Sequence, residues 1–463
     1  MPSLVKPVTF LVLVAMSTLV GRPAAAQAGA DSSRASRVDA LFARWHSPDS
    51  PGASVVVIHD GKVVLRKGYG MASLEQGVPN RPHTVFDIAS VSKQFGAFAI
   101  ALLEADGKLA FTDDVRTYVP ELPDFGQVIT IDHLLHHTSG LRDWPGTLRM
   151  GGWRYDDVIS FDQILRMAFA QQRLNFTPGD DYAYSNTGYN VLAEVVQRVS
   201  KQSFREFTSE RIFRPLGMTS THFHDDHREV VRNLADSYAP DRDGNRGYLR
   251  VTSNLTALAS SSLFTTVEDL AKWVGNFETA EVGGRAVIEG SHRRGILNSG
   301  DTIPYALGQS VGSYRGARTV SHGGSWAGYR STLTRFPDQR FAVMILANTA
   351  DMNPGRLGYQ IADLYLGDRL GEVVAADRPE PQSPPAASWT PTAAELGGYT
   401  GEYRSDELDT SWHLRLVGGR LVASHFRIGD TPVAPVAKDR FNAPALGGEL
   451  TFQSDQRGRI TGF

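Results

Sequence analysis

The chain contains no cysteine. Disulfides, thiolate metal sites, a cysteine nucleophile and lipid attachment at an N-terminal cysteine are excluded together. Charge of one sign is also missing: 47 Lys and Arg face 50 Asp and Glu, for a net charge of -3 and no long acidic or basic run. A nucleic-acid partner needs a basic footprint, and none is present. Only one long apolar run occurs. Val8 to Val20, broken by Thr9, Ser17 and Thr18, falls short of the roughly 20 apolar residues that a bilayer span requires. Without disulfides the fold must rest on its apolar core. At 463 residues and 41% hydrophobic content the chain has room for one large and one small domain.

That apolar run has the form of an export signal. Lys6 supplies the positive start, Gly21-Arg22-Pro23 end the run, and Ala24-Ala25-Ala26 offer small residues for cleavage. Residues 1–26 are expected to be a signal peptide, so the mature chain would be periplasmic or secreted and not stably inserted in a membrane. An uncleaved anchor is the alternative. Residues 30–36, small and polar, are expected to be disordered.

Periodicity outlines the rest. Two β-branched runs, 54–58 and 62–65, flank His59-Asp60-Gly61, and Asp-Gly is a hairpin signal. Residues 90–105, 131–137 and 189–199 carry apolar side chains at helical spacing, and Thr266 with Asp269 could form a capping box. Strands return at 330–336 and 341–346 around a Pro337-Asp338 turn. This order predicts an α+β fold in which the two ends of the domain close one antiparallel sheet around a helical insert. A Pro-rich linker follows at 371–391, and residues 392–463 alternate short β-type runs with Gly turns, predicting a small all-β domain.

Three short motifs stand in order: Ser90-Val91-Ser92-Lys93, Tyr184-Ser185-Asn186 and His322-Gly323-Gly324. Each spacing is common alone, and Ser3-Leu4-Val5-Lys6 repeats the first within the signal. The ordered set is what carries information. Ser90 opens a helix, whose free N–H groups and positive dipole end favour a developing oxyanion. Lys93 follows one turn later and can reach the Ser90 hydroxyl. A serine needs a base; a buried lysine with lowered pKa can serve, and so can a tyrosine phenolate beside an ammonium, for which Tyr184 is the candidate. Asn186 offers an amide to Lys93 or to a substrate carbonyl. Gly323 and Gly324 would let a substrate lie against a strand edge, with the N–H groups of Ser90 and Ser325 as a two-donor oxyanion hole.

With its flanks Phe86-Asp87-Ile88-Ala89, His137-Thr138-Ser139-Gly140-Leu141 and Thr187-Gly188-Tyr189, the set resembles the serine β-lactamase and penicillin-binding family in its class C-like branch, over roughly Asp39 to Gly367. The resemblance implies a hydrolase domain at 35–370 with an antiparallel sheet flanked by helices and a mainly helical subdomain. It implies Ser90 as nucleophile, Lys93 as its partner, Tyr184 as proton shuttle in both acylation and deacylation, Asn186 as a substrate-orienting amide and His322 as the third-motif residue. No cofactor or metal is implied, and the partner would be a small molecule or short peptide. The tail from Tyr399 is similar to β-domains appended to such hydrolases and, ending at Thr461-Gly462-Phe463, is expected to be incomplete. Two departures stand out. His322 replaces the lysine often found there, which weakens selection for a substrate carboxylate and tilts the choice toward D-amino-acid peptidases, amidases or esterases. A β-lactamase or carboxypeptidase, or a penicillin-binding sensor that does not turn over, remains open. Ser261-Ser262-Leu263 stands where glycines are common, with no mechanistic reading.

Other residues have plainer readings. His133, His136 and His137 have helical spacing but no carboxylates to complete a metal set. Trp144, Trp153 and Trp273 read as core or pocket wall, Trp326 and Tyr329 as pocket or packing, and Ser92 as structural. Arg142-Asp143 reads as a surface ion pair of small weight.

Overall fold

The computed structural model describes residues 24–372 and 389–463. The expected signal peptide lies outside them except for its last three residues, and so does most of the expected linker. Among the described residues no helix is long and apolar enough to cross a membrane.

Six antiparallel strands form the central sheet in the order Ser310–Tyr314, Ala317–Trp326, Tyr329–Phe336, Phe341–Ala347, Ala53–His59 and Lys62–Tyr69. The chain's early and late segments meet in its middle, where Val55 faces Ile345 and Val57 faces Val343. The first hairpin turns on Asp60 and Gly61, both at positive φ (51° and 72°), as a two-residue turn matched to strand twist requires. Alternation then sorts the faces. Val55, Val57, Val343 and Ile345 point to a layer of two helices, Ala24–Leu41 and Pro354–Leu366; Val56, Ile58, Met344 and Leu346 point to the larger helical core. Fully burying each such side chain stabilises the fold by about 1.5–3 kcal/mol.

Residues 30–36 are helical, not disordered, because they lie inside Ala24–Leu41. Val38 is fully buried, and Ala35 and Leu41, one turn either side, pack in the same cluster as Ile361 and Tyr365. The small polar composition hid this apolar stripe. Thr266 caps its helix by accepting from the Asp269 N–H, yet the box is not closed. The Asp269 carboxylate turns instead to the Ser220 N–H (2.7 Å) and the Thr221 hydroxyl (2.9 Å).

The helix Lys93–Ala105 runs through the larger core, buried along Phe95, Phe98, Leu102 and Leu103, and packs on Asn186–Ser200. Residues 392–463 form small antiparallel sheets around Trp412, Leu414, Phe441 and Phe452. This unit seats on the short helix Trp144–Met150: Trp412 Nε1 donates to Met150 O at 2.7 Å, and Arg427 pairs with Asp157 at 2.8 Å.

Candidate active site

Ser90 sits in a 3-10 turn, Ala89–Ser92, that feeds directly into the helix starting at Lys93. The turn is strained: Ala89 adopts φ 47°, a left-handed value that L residues with a Cβ avoid. Asp87 holds it, accepting from the Ala89 N–H at 2.8 Å. Burial pushes the Asp87 carboxyl up to about 7. The Ser92 hydroxyl donates to Ala89 O and accepts from the Leu263 N–H, which ties the turn to a neighbouring strand and agrees with a structural role.

The third motif lies on Ala317–Trp326. The outer strand Ser310–Tyr314 pairs with residues 317–321 of it only, so from His322 onward that edge has no partner strand among the described residues. Gly324 is needed for a reason different from substrate access. A Cβ there would stand 2.2 Å from both Ile88 O and Ser331 Oγ, so the strand can approach the nucleophile turn only with a glycine. At Gly323 the nearest atom to a Cβ would be Ser331 O at 3.7 Å. Gly324→Ala is therefore expected to cost about 1–3 kcal/mol in urea unfolding, while Gly323→Ala leaves the midpoint unchanged.

Lys93 is fully buried, and its amine has three neighbours: Asn186 Oδ1 at 2.6 Å, Ser260 O at 2.8 Å and Ser90 Oγ at 3.3 Å. Burial brings its pKa down to about 7, against the opposing pull of Asp143. A neutral amine would keep two N–H bonds to Asn186 and Ser260 and turn its lone pair to the longest contact, the Ser90 hydroxyl. The Tyr184 ring lies 4.7 Å from the Lys93 nitrogen. Its hydroxyl is sealed from solvent without a well-aligned hydrogen bond among the described residues, and burial pushes it well above the ordinary tyrosine range, opposed by the neighbouring Ser90 hydroxyl. The resting site thus favours a protonated Tyr184 and a Lys93 poised to lose its proton. Of the two candidate bases, the surroundings favour the lysine.

Asn186 turns to Lys93. Its amide oxygen accepts from the lysine, and its NH2 donates to both oxygens of Asp143 at 2.9 and 3.1 Å. Asp143 also accepts from the Asn186 backbone N–H at 2.7 Å. The expected surface pair Arg142-Asp143 is thereby corrected. Asp143 faces inward to Asn186, while Arg142 pairs with Glu407 of the C-terminal unit. Adjacent residues in an extended segment point to opposite sides, which a sequence pair cannot convey.

His322 is buried and held at both ring nitrogens, with Nδ1 donating to Gly323 O at 2.6 Å and Nε2 accepting from the Tyr305 hydroxyl at 3.0 Å. Burial, then Lys93, lowers its pKa to about 3, so the third motif carries no positive charge. Tyr305 was not foreseen from the sequence. Nor was Ser260, whose carbonyl receives Lys93 from the turn preceding Ser261-Ser262. In that turn Ser262 adopts φ 61°, where glycine would be unstrained, and its hydroxyl accepts from the Ala257 N–H.

The histidines of the 133–137 segment turn to backbone and ring partners. His137 is buried and accepts from the Ser185 N–H at 3.1 Å, its ring 4.3 Å from Tyr184; His136 Nδ1 faces Asp132 O. Elsewhere His222, His224 and Glu229 bring one possible ligand atom each within 4.8 Å, but Arg205 already holds the Glu229 carboxylate at 2.6 and 2.9 Å. Trp273 is core, Trp144 is buried, and Trp153 packs beside it under Arg427. Trp326 lies between Trp144, tilted at 57°, and Tyr155, edge-on at 74°, and donates to Ser253, and Tyr329 is buried, its hydroxyl on Ala235 O.

The Beta-lactamase family model matches residues 38–366. Penicillin-binding protein 4* of Bacillus subtilis is 29% identical over 311 residues, covering 64% of this chain and 67% of that protein. Of the Staphylococcus aureus flp proteins the chain spans 59% of the length. Among solved structures, the octameric penicillin-binding protein homologue from Pyrococcus abyssi superposes with a TM-score of 0.64 at 23% identity, covering 94% of each chain. The D-amino acid amidase of Ochrobactrum anthropi gives 0.62 at 19% identity, over 73% of this chain and 99% of that one. These structural likenesses carry the fold, and the family match carries the kinship: the chain belongs to the beta-lactamase family of serine hydrolases.

Proposed function

We propose that the chain hydrolyses amides or esters, with D-amino-acid derivatives as the favoured class, through an acyl-enzyme on Ser90. The observation that carries this is the Lys93 amine, buried, 3.3 Å from Ser90 Oγ and fixed by two other acceptors. Ser90 attacks the carbonyl carbon as its proton passes to neutral Lys93. The oxyanion is held by the Ser90 and Ser325 N–H groups. The leaving nitrogen or oxygen departs with the proton of Tyr184, which Lys93 replenishes. Water then reverses the sequence: it attacks the ester carbon, gives a proton to the same pair, and Ser90 leaves with its proton restored. In this scheme Asn186 orients Lys93 and His322 shapes the strand edge.

The neutral His322 supports the choice among substrates. Without a fixed cation there, a substrate's free carboxylate gains no charge-assisted bond from the third motif. Neutral esters and amides therefore fit better than β-lactams or D-Ala-D-Ala peptides. Residues 1–26 support export, so the substrate would be met outside the cytoplasm as a small molecule or short peptide. We also propose residues 35–370 as the hydrolase domain and 392–463 as an appended β-domain joined through 371–391.

The test is time-resolved intact mass of the mature chain with a short activated ester, beside Ser90→Ala. A wild-type adduct that forms and clears with product, absent from the variant, is expected. An adduct with penicillins that persists while esters leave none would move the assignment to a penicillin-binding sensor. No adduct with either would sink the hydrolase reading.

A further inference from the structure

Arg335 lies on the strand Tyr329–Phe336, four residues and about 13 Å along from Ser331, which contacts the nucleophile turn. It is 5% exposed, and no carboxylate among the described residues pairs with it. One terminal nitrogen donates to Gln309 Oε1 at 2.8 Å and to His292 Nε2 at 2.9 Å, and the buried Nε–H has no partner among the described residues. Both partners are uncharged: burial, then Arg335 and Arg318, lowers the His292 pKa to about 3. The guanidinium stacks 3.4 Å over the Phe277 ring. A buried guanidinium is ordinarily neutralised by a carboxylate, and here none of the described residues supplies one.

In front of it lies a cavity of about 220 Å³ with apolar walls that include Val274 and Ile288. Arg285, Arg318 and Arg340 stand around it with Arg335, against Glu278 and Glu289. Four positive charges less two negative leave the lining at +2. Arg340 already pairs with Glu278, and Arg318 with Asp338 outside the lining, which leaves the exposed Arg285 and Glu289 to offset each other and the buried Arg335 uncompensated.

We propose that this cleft is a binding site for a small oxyanion, a carboxylate or phosphate, seated on Arg335 with Arg318 at its rim. An oxyanion there would lie against a guanidinium that lines the cleft and neutralise its buried charge. The apolar wall accommodates a short hydrocarbon body on a carboxylate. The site is separate from Ser90 and does not depend on how that residue acts.

The test is thermal unfolding of the full chain in rising potassium phosphate or sodium acetate, against chloride at matched ionic strength. Phosphate or acetate well above its dissociation constant is expected to raise the midpoint by roughly 2 °C or more over chloride. The larger of the two responses identifies the source. Arg335→Met, which keeps an apolar stem in the core, is expected to remove the anion-specific rise. Arg318→Gln, an exposed rim change that does not threaten folding, is expected to weaken the apparent affinity several-fold by calorimetric titration with phosphate or acetate. No wild-type rise beyond chloride overturns the proposal, as does an equal rise in Arg335→Met. Should that variant fail to fold, unchanged affinity in Arg318→Gln overturns it.

Discussion

Lys93→Met is expected to lower kcat/KM for an activated ester by about 10³-fold or more and to flatten one limb of the stability profile. The rate loss follows from chemistry: a positioned base contributes roughly 10²–10⁴-fold, and nucleophile and base act as a unit, so removing either loses most of what both supply. The stability effect follows from burial. In the folded chain the Lys93 pKa is lowered to about 7, whereas in the unfolded chain it is that of an ordinary lysine. Between those values the unfolded chain binds the extra proton, so wild-type stability rises with pH across the window and is lowest at neutral pH and below. Methionine cannot titrate. The wild-type minus variant difference in unfolding free energy should therefore grow from pH 7 to pH 10 by an amount on the order of a few kcal/mol. On the kinetic side, wild-type kcat/KM should climb through about pH 7 as Lys93 loses its proton. A variant that still acylates at the wild-type rate would give the base role to Tyr184.

The part of the site that sequence could show is the part set by local spacing. Ser90 and Lys93 lie three residues apart where a 3-10 turn runs into a helix, so their contact follows from local helical geometry, whereas the second helix begins at Asn186, three residues earlier than the apolar spacing of 189–199 marked. The sheet was legible from the β-branched run at 54–58 and the apolar run at 341–346, which are buried on both faces and so carry no alternation to assign a face. What stayed hidden depends on long-range packing. Asp143 is 43 residues from Asn186, and its neighbour Arg142 gave it a plausible but wrong partner. Tyr305 reaches His322 from a loop with no motif, and Ser260 acts through a carbonyl that every residue type possesses. The helix over 30–36 was missed because its burial comes from Pro354–Leu366, far along the chain. Gly324 was foreseen as a glycine position, but its reason, the 2.2 Å approach to Ile88 O, exists only once the strand and the turn are brought together.

Asp143→Asn should reduce kcat by roughly 10²-fold, on the scale that an ångström-level misplacement of a catalytic group costs, and should move the acidic limb of kcat/KM to lower pH. Asp143 now only accepts: the Asn186 backbone N–H and the Asn186 NH2 both donate to it, the NH2 reaching both carboxylate oxygens. Asparagine offers one acceptor and one NH2, so a donor would face a donor. The relief is a flip of the Asn186 amide, which presents NH2 instead of oxygen to Lys93. The lysine would then keep Ser260 O as its remaining fixed acceptor and lose its alignment on Ser90. The pH shift has a separate cause. The Asp143 charge raises the Lys93 pKa against burial, and its removal lets burial lower it further, so the amine becomes neutral at lower pH. Asp143→Ala separates the two effects, because it removes the charge without placing a donor against Asn186: the limb should shift equally while the rate falls less. Equal rates in both variants would argue against the amide flip. An unmoved limb in both would show that Asp143 carries no charge in the working enzyme, consistent with burial raising its own pKa.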